Sequence, residues 1–378
     1  MEQHLHIISF NIPYPPDHGG LIDPFHKLKP LQQAGILIHY HCFEYDRPKQ
    51  DVLHTLCSTV DYYPRLPFYK GLQKNTPYIV ATRRNQALED RLLQDAYPIL
   101  MEGVHCTGLL SDARFAGRVR QVRLHNAEYD YYAQLERSEH NIFKKWFYRR
   151  ESRLLYPYEK KMCHTADWCW AVTEKDAELY RDQFGCKTVS WLAPFLPESW
   201  RVPSAGSTGS FCLYHGDLSV SSNEEAVAWL LTRVFHELAF PFVIAGKNPS
   251  RRLKAMAKKY PHACLVANPS EAEMNDMIAK AHIHVIPSMS SAGIKLKLLH
   301  SLFHGRHCIT NAATVAGSCL EPVCHIAETP EAFREKITAL YPVPFSKAEA
   351  DARRRIRTEV YDNDANARKL VNGIFGVA

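Results

Sequence analysis

The sequence predicts an α/β protein made of two doubly wound parallel-sheet domains. Three observations carry that prediction. The chain has 378 residues, more than one hydrophobic core usually supports, so two domains of roughly 180 residues each are expected. Apolar runs alternate with stretches of helical periodicity, the pattern of strand–helix–strand units with parallel strands. A segment dense in Pro, Ser and Gly, and free of periodicity, separates two such series. The expected division is a first domain over residues 1–192, a linker over 193–210, a second domain over 211–346 and a helical segment over 347–378 that crosses back to the first domain.

His4 to Phe10 reads as a buried first strand ending in a Pro- and Gly-rich loop, Asn11 to Gly20. Ile22, Phe25, Leu28 and Leu31 then fall at helical spacing, and Gly35 ends that helix ahead of a second strand, Ile36 to Phe43. In such parallel sheets ligands sit beyond the carboxyl ends of the strands, where Gly19 and Gly20 lie. Further strands are expected near Val60, at Tyr97 to Met101, at Val119 to Leu124 and at Trp168 to Val172. Helices are expected at Arg83 to Asp95 and Glu128 to His164. Within the last, seven Lys and Arg against two Glu leave +5 over residues 141–161, interleaved with Trp146, Phe147 and Tyr148. Such a face suits anionic headgroups or a charged lipid-linked acceptor, and equally a solvated helix that packs its aromatics inward.

The alternation restarts at Phe211 to Tyr214. Helix Asn223 to Leu238, strand Phe242 to Ala245, helix Ser250 to Lys259, strand Ala263 to Val266 and helix Glu271 to Ala281 follow. The most informative stretch is Ser288 to Gly305. An apolar run, His282 to Pro287, leads into small residues at Ser290 to Gly293, and Ile294, Leu298, Leu299 and Leu302 then recur at helical spacing. Strand, tight turn and helix place free backbone N–H groups and the positive end of the helix dipole at one spot, with Lys295 and Lys297 beside it. That arrangement calls for an anion, most simply a phosphate.

Composition narrows the classes. A formal charge of +6, with no dense Lys/Arg block, argues against nucleic-acid binding. Eleven scattered cysteines without a C-x-x-C pair or zinc spacing read as buried thiols in a reducing compartment. A strand at the start and no apolar run of about 18 residues predict a cytoplasmic protein, peripheral at the inner face of a membrane where it meets one. Neither G-x-G-x-x-G after the first strand nor G-x-x-x-x-G-K-[ST] occurs, which counts against dehydrogenase and P-loop readings.

Taken in order, four motifs resemble the GT-B glycosyltransferases, specifically the retaining, nucleotide-sugar-dependent branch of glycosyl transferases group 1 type. Pro15-Pro16-Asp17-His18-Gly19-Gly20 resembles its P-x-x-D-x-G-G, with one residue fewer between proline and aspartate. His215-Gly216-Asp217-Leu218 with Asn223 resembles the opening of its donor domain, and Val243 to Pro249 its next strand and turn. Gly293-Ile294-Lys295-Leu296-Lys297-Leu298-Leu299 looks like its G-x-K-x-K-x-L-E. The resemblance implies two Rossmann-like domains facing across a cleft and transfer of a sugar from a nucleotide-sugar to a saccharide or lipid-linked saccharide acceptor in surface polysaccharide biosynthesis. It implies no cofactor and no metal.

By that resemblance His105, Glu128 and Lys297 are the catalytic candidates, and Asp17, His125 and Asn126 bind the acceptor. Gly19, Gly20, Gly216, Asp217, Lys247, Ser291, Ala292, Gly293, Ile294, Lys295 and His300 bind the donor. His300 stands where the branch carries its ribose-binding glutamate, the second glutamate of its usual pair is missing, and no cation follows the first donor-domain strand. Those departures keep two other readings open: a non-catalytic nucleotide-binding or scaffold homologue, and a GT-B sugar-nucleotide epimerase.

Overall fold

The computed structural model describes residues 2–17, 19–139, 141–289 and 293–376. It divides into two compact units, residues 1–197 with 361–378 and residues 198–360.

The first unit contains seven parallel strands: β1 (Gln3–Ser9), β2 (Ile36–Glu44), β3 (Thr59–Pro64), β4 (Ile99–Glu102), β5 (Arg120–Leu124), β6 (Trp168–Ala171) and β7 (Val189–Trp191). Their order is β3-β2-β1-β4-β5-β6-β7. Strand residues alternate between two apolar layers. Ile8, Phe43, Met101 and Val122 face one, and Leu5, Ile7, Ile38 and Leu100 face the other. Both faces are covered, as a parallel sheet requires.

The second unit repeats the scheme with β8 (Cys212–Asp217), β9 (Phe242–Lys247), β10 (Ala263–Ala267), β11 (Ile283–Val285), β12 (His307–Thr310) and β13 (His325–Ile326) in the order β10-β9-β8-β11-β12-β13. Each sheet therefore reverses its strand order once, between β1 and β4 and between β8 and β11. Crevices for ligands open at the carboxyl ends of the strands at such points.

Several elements differ from the sequence expectation. The short strands β7, β12 and β13 lack the length that makes an apolar run stand out. The helix expected to Leu238 is α-helical only over Ser221–Trp229 and continues as a π turn, Leu230–Val234. The long helical region is two helices: the first ends at Ser138, and the Asn141 side chain accepts the N–H of Phe143 (3.0 Å) and Lys144 (3.1 Å) and starts a new helix, Ile142–Thr165. Cys264 is exposed, and Cys319 and Cys324 are half-buried, against an expectation of buried thiols.

The division between units lies at residue 197 rather than 192, because residues 192–196 are tied into the first unit. Arg123 donates to the carbonyls of Leu192 (2.6 Å) and Ala193 (3.2 Å), and Leu196 N–H donates to Asn363 (3.0 Å). The final helical segment also splits. Lys347–Glu359 stays with the second unit, where Arg353 donates to Leu302, Gly305 and Arg306 carbonyls. Asn363–Phe375 joins the first unit, burying Leu370, Val371 and Ile374 against its sheet.

Candidate active site

In the second unit the chain beyond β11 turns at Gly293 (φ +57°) into the helix Leu296–His304. Leu298, Leu299, Leu302 and Phe303 anchor that helix in the core. Lys295 is its cap residue and Lys297 lies in its first turn, so the lysine head reaches over the end of β8. Its ammonium donates to the Tyr214 hydroxyl (2.8 Å) and the Asn223 carbonyl oxygen (2.8 Å), and sits 4.7 Å from the Tyr214 ring centroid. Asn223 is fixed in turn, its amide donating to Asp217 O at 2.8 Å. Among the described residues no carboxylate pairs with this ammonium. Burial, then the nearby Lys295 charge, push the Lys297 pKa down to about 7.

The backbone is shaped to fit. A Cβ on Gly246 would lie 1.9 Å from Gly216 O, so only glycine lets β8 and β9 close together at this point. The Asp217 carboxylate accepts the N–H (3.0 Å) and hydroxyl (2.6 Å) of Ser219, which makes it a loop brace. Lys247 ends β9 in register with Asp217. Ile294 and Lys295 are half-buried at the turn, and Ser291 and Ala292 lie outside the described residues. His300 is stacked under Trp200 (centroids 4.1 Å apart, planes at 10°), with Nε2 buried and unpartnered.

In the first unit the switch point holds a charge network. Lys27 Nζ lies 2.9 Å from Asp23 Oδ2 and 2.6 Å from Glu102 Oε1, and Arg123 grips Asp23 with two bonds of 2.8 and 3.0 Å. His125 Nε2 donates to Glu102 Oε2 at 2.9 Å. The side chains of Lys27, Glu102 and Arg123 are fully buried, and that of Asp23 is 2% exposed. The guanidinium of Arg123 and the ammonium of Lys27 hold the Asp23 carboxyl well below the usual carboxylate range, outweighing burial. Asp23, Glu102 and His125 bring ligand atoms within 4.8 Å of one another, but the two cations already occupy those oxygens.

Beside the network, Gly103 (φ +71°) turns the chain after β4 and His105 stacks on Phe10 at 4.9 Å. Its Nδ1 is buried without a hydrogen-bond partner, and burial, then the Arg83 charge, hold it well below the usual histidine range. Glu128 opens the helix Glu128–Ser138 and is 4% exposed. Its one side-chain bond is from Asn126 (3.3 Å), and burial raises its pKa to about 7. The orphan N–H groups at this helix start, Glu128 N and Tyr129 N, are taken by the buried Glu159 (3.2 and 2.7 Å).

The predicted residues thus fall into three sets. His105, His125, Asn126 and Glu128 gather at the carboxyl edge of the first sheet, and Gly216, Asp217 and Lys297 at that of the second. Gly19 and Gly20 begin the helix Gly19–His26, whose Asp23, with Lys27 just beyond its end, enters the network. Asp17 does not stand free for an acceptor, since Arg47 pairs with it. Sequence reading missed Asp23, Lys27, Tyr214, Arg65 and Arg83. The available signal was the i, i+4 spacing of Asp23 and Lys27 on a helix otherwise apolar, a pair ordinarily read as solvent-facing. The single Asp-x-Asp, Asp362 to Asp364, begins the C-terminal helix, with Asp362 Oδ1 capping Ala365 N at 2.6 Å. A second His/Glu group, His307, His325 and Glu349, lies at the amino ends of β12 and β13, with Glu349 accepting from both rings at 3.0 and 2.9 Å.

Comparison with known proteins agrees with this layout. Residues 210–342 match the family model described as Glycosyl transferases group 1. An uncharacterized 44.6 kDa protein in the cps region of Klebsiella pneumoniae is 27% identical over 316 residues, covering 78% of this chain and 79% of the relative. Among solved structures, TarM is similar with a TM-score of 0.71 at 11% identity, covering 99% of each chain. An alpha,alpha-trehalose-phosphate synthase (UDP-forming) from Burkholderia xenovorans in complex with glucose-6-phosphate gives 0.65 at 12% identity, covering 99% of this chain and 100% of that one. An S. aureus TarM variant in complex with Fondaparinux, alpha-GlcNAc-glycerol and UDP gives 0.65 at 10% identity, covering 98% and 99%. Residues 210–342 are therefore similar to the glycosyl transferases group 1 family, and the two parallel sheets share the GT-B fold of these structures.

Proposed function

We propose that the protein is a retaining glycosyltransferase that moves a sugar from a nucleotide-sugar donor to a saccharide or lipid-linked saccharide acceptor in surface-glycan biosynthesis. The observation that carries this reading is the half-buried Lys297 ammonium at the carboxyl end of β8, with a phenol and an amide for company and, among the described residues, no anion. A diphosphate supplies the missing charge, with the N-terminus of the helix Leu296–His304 adding its dipole. The group 1 domain, the UDP named with one structural neighbour and the cps-region setting of the relative support it.

In glycosyl transfer the bond from the anomeric carbon to the diphosphate breaks, and negative charge grows on the leaving oxygen. Lys297, with Lys295 beside it, neutralises that charge without a metal. The acceptor hydroxyl replaces the diphosphate on the same face, and in the retaining scheme its proton passes to the departing phosphate oxygen. We therefore assign no protein nucleophile. His105 and Glu128 orient the sugar and acceptor, and Glu128, poised near neutrality, accepts or donates a hydrogen bond as required.

The test is calorimetric titration of the intact chain, in EDTA, with UDP, GDP, ADP and their sugar conjugates. One nucleotide should bind at micromolar strength, and Lys297→Ala should weaken it by about 1.5–3 kcal/mol, the worth of a charged hydrogen bond. Absence of nucleotide binding would sink the reading. The stack of Trp200 on His300, where the family binds ribose through a glutamate, favours a second reading, nucleotide binding without transfer. Tight binding with neither transfer nor donor hydrolysis would decide for it.

Attachment to a membrane surface belongs to the same proposal. No helix among the described residues is long and apolar enough to cross a membrane. Ile142, Phe143 and Trp146, however, are 74%, 82% and 63% exposed, so the aromatics of this helix start do not all pack inward. Phe68 and Tyr69 are also exposed, and Phe68 meets Phe147 at 6.2 Å. Lys74, Arg149, Arg150 and Arg153 line an open cavity of about 370 Å³ with Trp146. Neutralising Lys144, Lys145, Arg149 and Arg150 together should abolish binding to vesicles containing phosphatidylglycerol, since each basic residue at such a surface contributes about 1 kcal/mol. Unchanged binding would remove the membrane reading.

A further inference from the structure

The charge network of the first unit is closed, yet two guanidiniums near it are not neutralised. Arg65 follows β3 and lies over the Tyr45 ring at 4.2 Å and the Tyr78 ring at 5.2 Å. Its Nε is buried with no hydrogen-bond partner. Arg83 is 9% exposed; its Nε donates to Phe10 O (2.9 Å) and its Nη1 to Ile79 O (3.0 Å), both neutral carbonyls. Among the described residues neither arginine forms an ion pair.

The two belong to one place. Arg83 sits 6.0 Å from the Phe10 ring, whose other contact is the His105 ring, and Arg65 stacks on Tyr78, one residue from the carbonyl that Arg83 grips. Burial first, then the Arg65 charge, push the Arg83 pKa down to about 10, and both arginines act on His105. The carboxylates nearby do not answer them. Glu128 is raised to about 7, and Glu151 is taken by Arg150 and by the N–H of Tyr78. Two neighbouring guanidiniums, one with its bonds on neutral oxygens and the other with a buried, unpartnered Nε, form a site that lacks its anion.

We propose that Arg65 and Arg83 form a subsite for an anionic group, a carboxylate or a phosphate, carried by the acceptor saccharide. This rests on the glycosyl-transfer reading for the word acceptor, but not for the anion. The exposed Tyr45 ring beside Arg65 gives the sugar an apolar wall. The network around Asp23 does not compete, since its charges are already paired.

Binding of glucose 6-phosphate, glucuronate and glucose to the full chain, by calorimetry at fixed ionic strength, tests the proposal. At least one of the two anionic sugars should bind about 10-fold or more tighter than glucose, and which one does so separates phosphate from carboxylate. Arg65→Gln, chosen because its Nε holds no partner, should remove that preference, and Arg83→Gln should do the same if its melting curve shows a folded chain. Lys297→Ala should leave the preference intact. Equal binding of all three sugars, no binding of either anion, or a preference that Lys297→Ala removes and Arg65→Gln spares would overturn the subsite. Nucleotide binding is read separately: its absence alongside a retained anion preference defeats glycosyl transfer and leaves the subsite standing.

Discussion

At the switch point of the first sheet Asp23, Glu102, Lys27 and Arg123 neutralise one another, with His125 closing the set. At that of the second, the Lys297 ammonium meets only Tyr214 and Asn223. The strand orders reverse in the same way, so topology does not explain the difference. Charge balance does. A buried network whose every oxygen is held by a donor fixes a helix, a strand and the chain beyond β7 in place. A half-buried cation without a counter-charge raises the energy of the empty protein and lowers it when an anion arrives.

The largest effect should come from breaking the balanced side. Asp23 accepts from Arg123, Lys27 and the N–H of Phe195 (2.9 Å), so Asp23→Asn leaves two buried cations short of a partner. A loss of about 3–5 kcal/mol in urea unfolding is expected, a large part of a typical domain's stability. Lys297→Ala removes the uncompensated charge, and the empty protein should keep its stability to within about 1 kcal/mol, because lost packing is offset by relief of desolvation. Equal destabilisation by both changes would show that the two sites do not differ as argued.

A smaller effect follows from pH. The Lys297 pKa lies near 7 in the empty protein, so above that pH the amine is increasingly neutral and an incoming diphosphate must bring a proton with it. Affinity for a nucleoside diphosphate should therefore fall as pH rises from 7 to 9, by up to about 10-fold per unit, and should flatten in Lys297→Ala. Stability of the empty chain runs the other way. The unfolded lysine keeps its proton to about 10.4 while the folded one loses it near 7, so this group's contribution improves with rising pH across that window. An affinity independent of pH would remove Lys297 from the binding site.

How much of this was legible depended on what the pattern encodes. Apolar spacing reveals which face of a strand or helix is buried, so the long strands and the turn before Leu296 stood out. Lys297 was found because a glycine turn and a helix start predict where an ammonium must go. Asp23 and Lys27 were not, because charge in a helix predicts solvent until a second helix or strand supplies the opposite charge. Glu102 and Arg123 do so from 75 and 100 residues away. Trp200 over His300 has the same character, a contact across sequence that no local period announces. The short strands β7 and β13, three and two residues long, carry too few residues to show a period at all.

Glu128 gives the finest test, since it lies beside the balanced network without belonging to it. Its carboxyl has only Asn126 as a side-chain partner, and burial rather than an acidic neighbour is the main cause of its raised pKa. Glu128→Gln keeps the shape and removes a charge that burial penalises, so stability at pH 8 should rise rather than fall, by up to about 3–4 kcal/mol, the worth of a carboxyl held near 7 in place of 4.3. The sign follows from linkage. An unfolded glutamate ionises near 4.3 and the folded one near 7, so above pH 4.3 the unfolded chain binds fewer protons and Glu128 costs the fold progressively more until about pH 7. The wild type should therefore lose stability relative to Glu128→Gln as pH climbs through that window, and the difference should stay constant above it. If the variant is instead destabilised by several kcal/mol at every pH, Glu128 is one more member of the balanced set, and this carboxyl would have to be reassigned from acceptor recognition to structure.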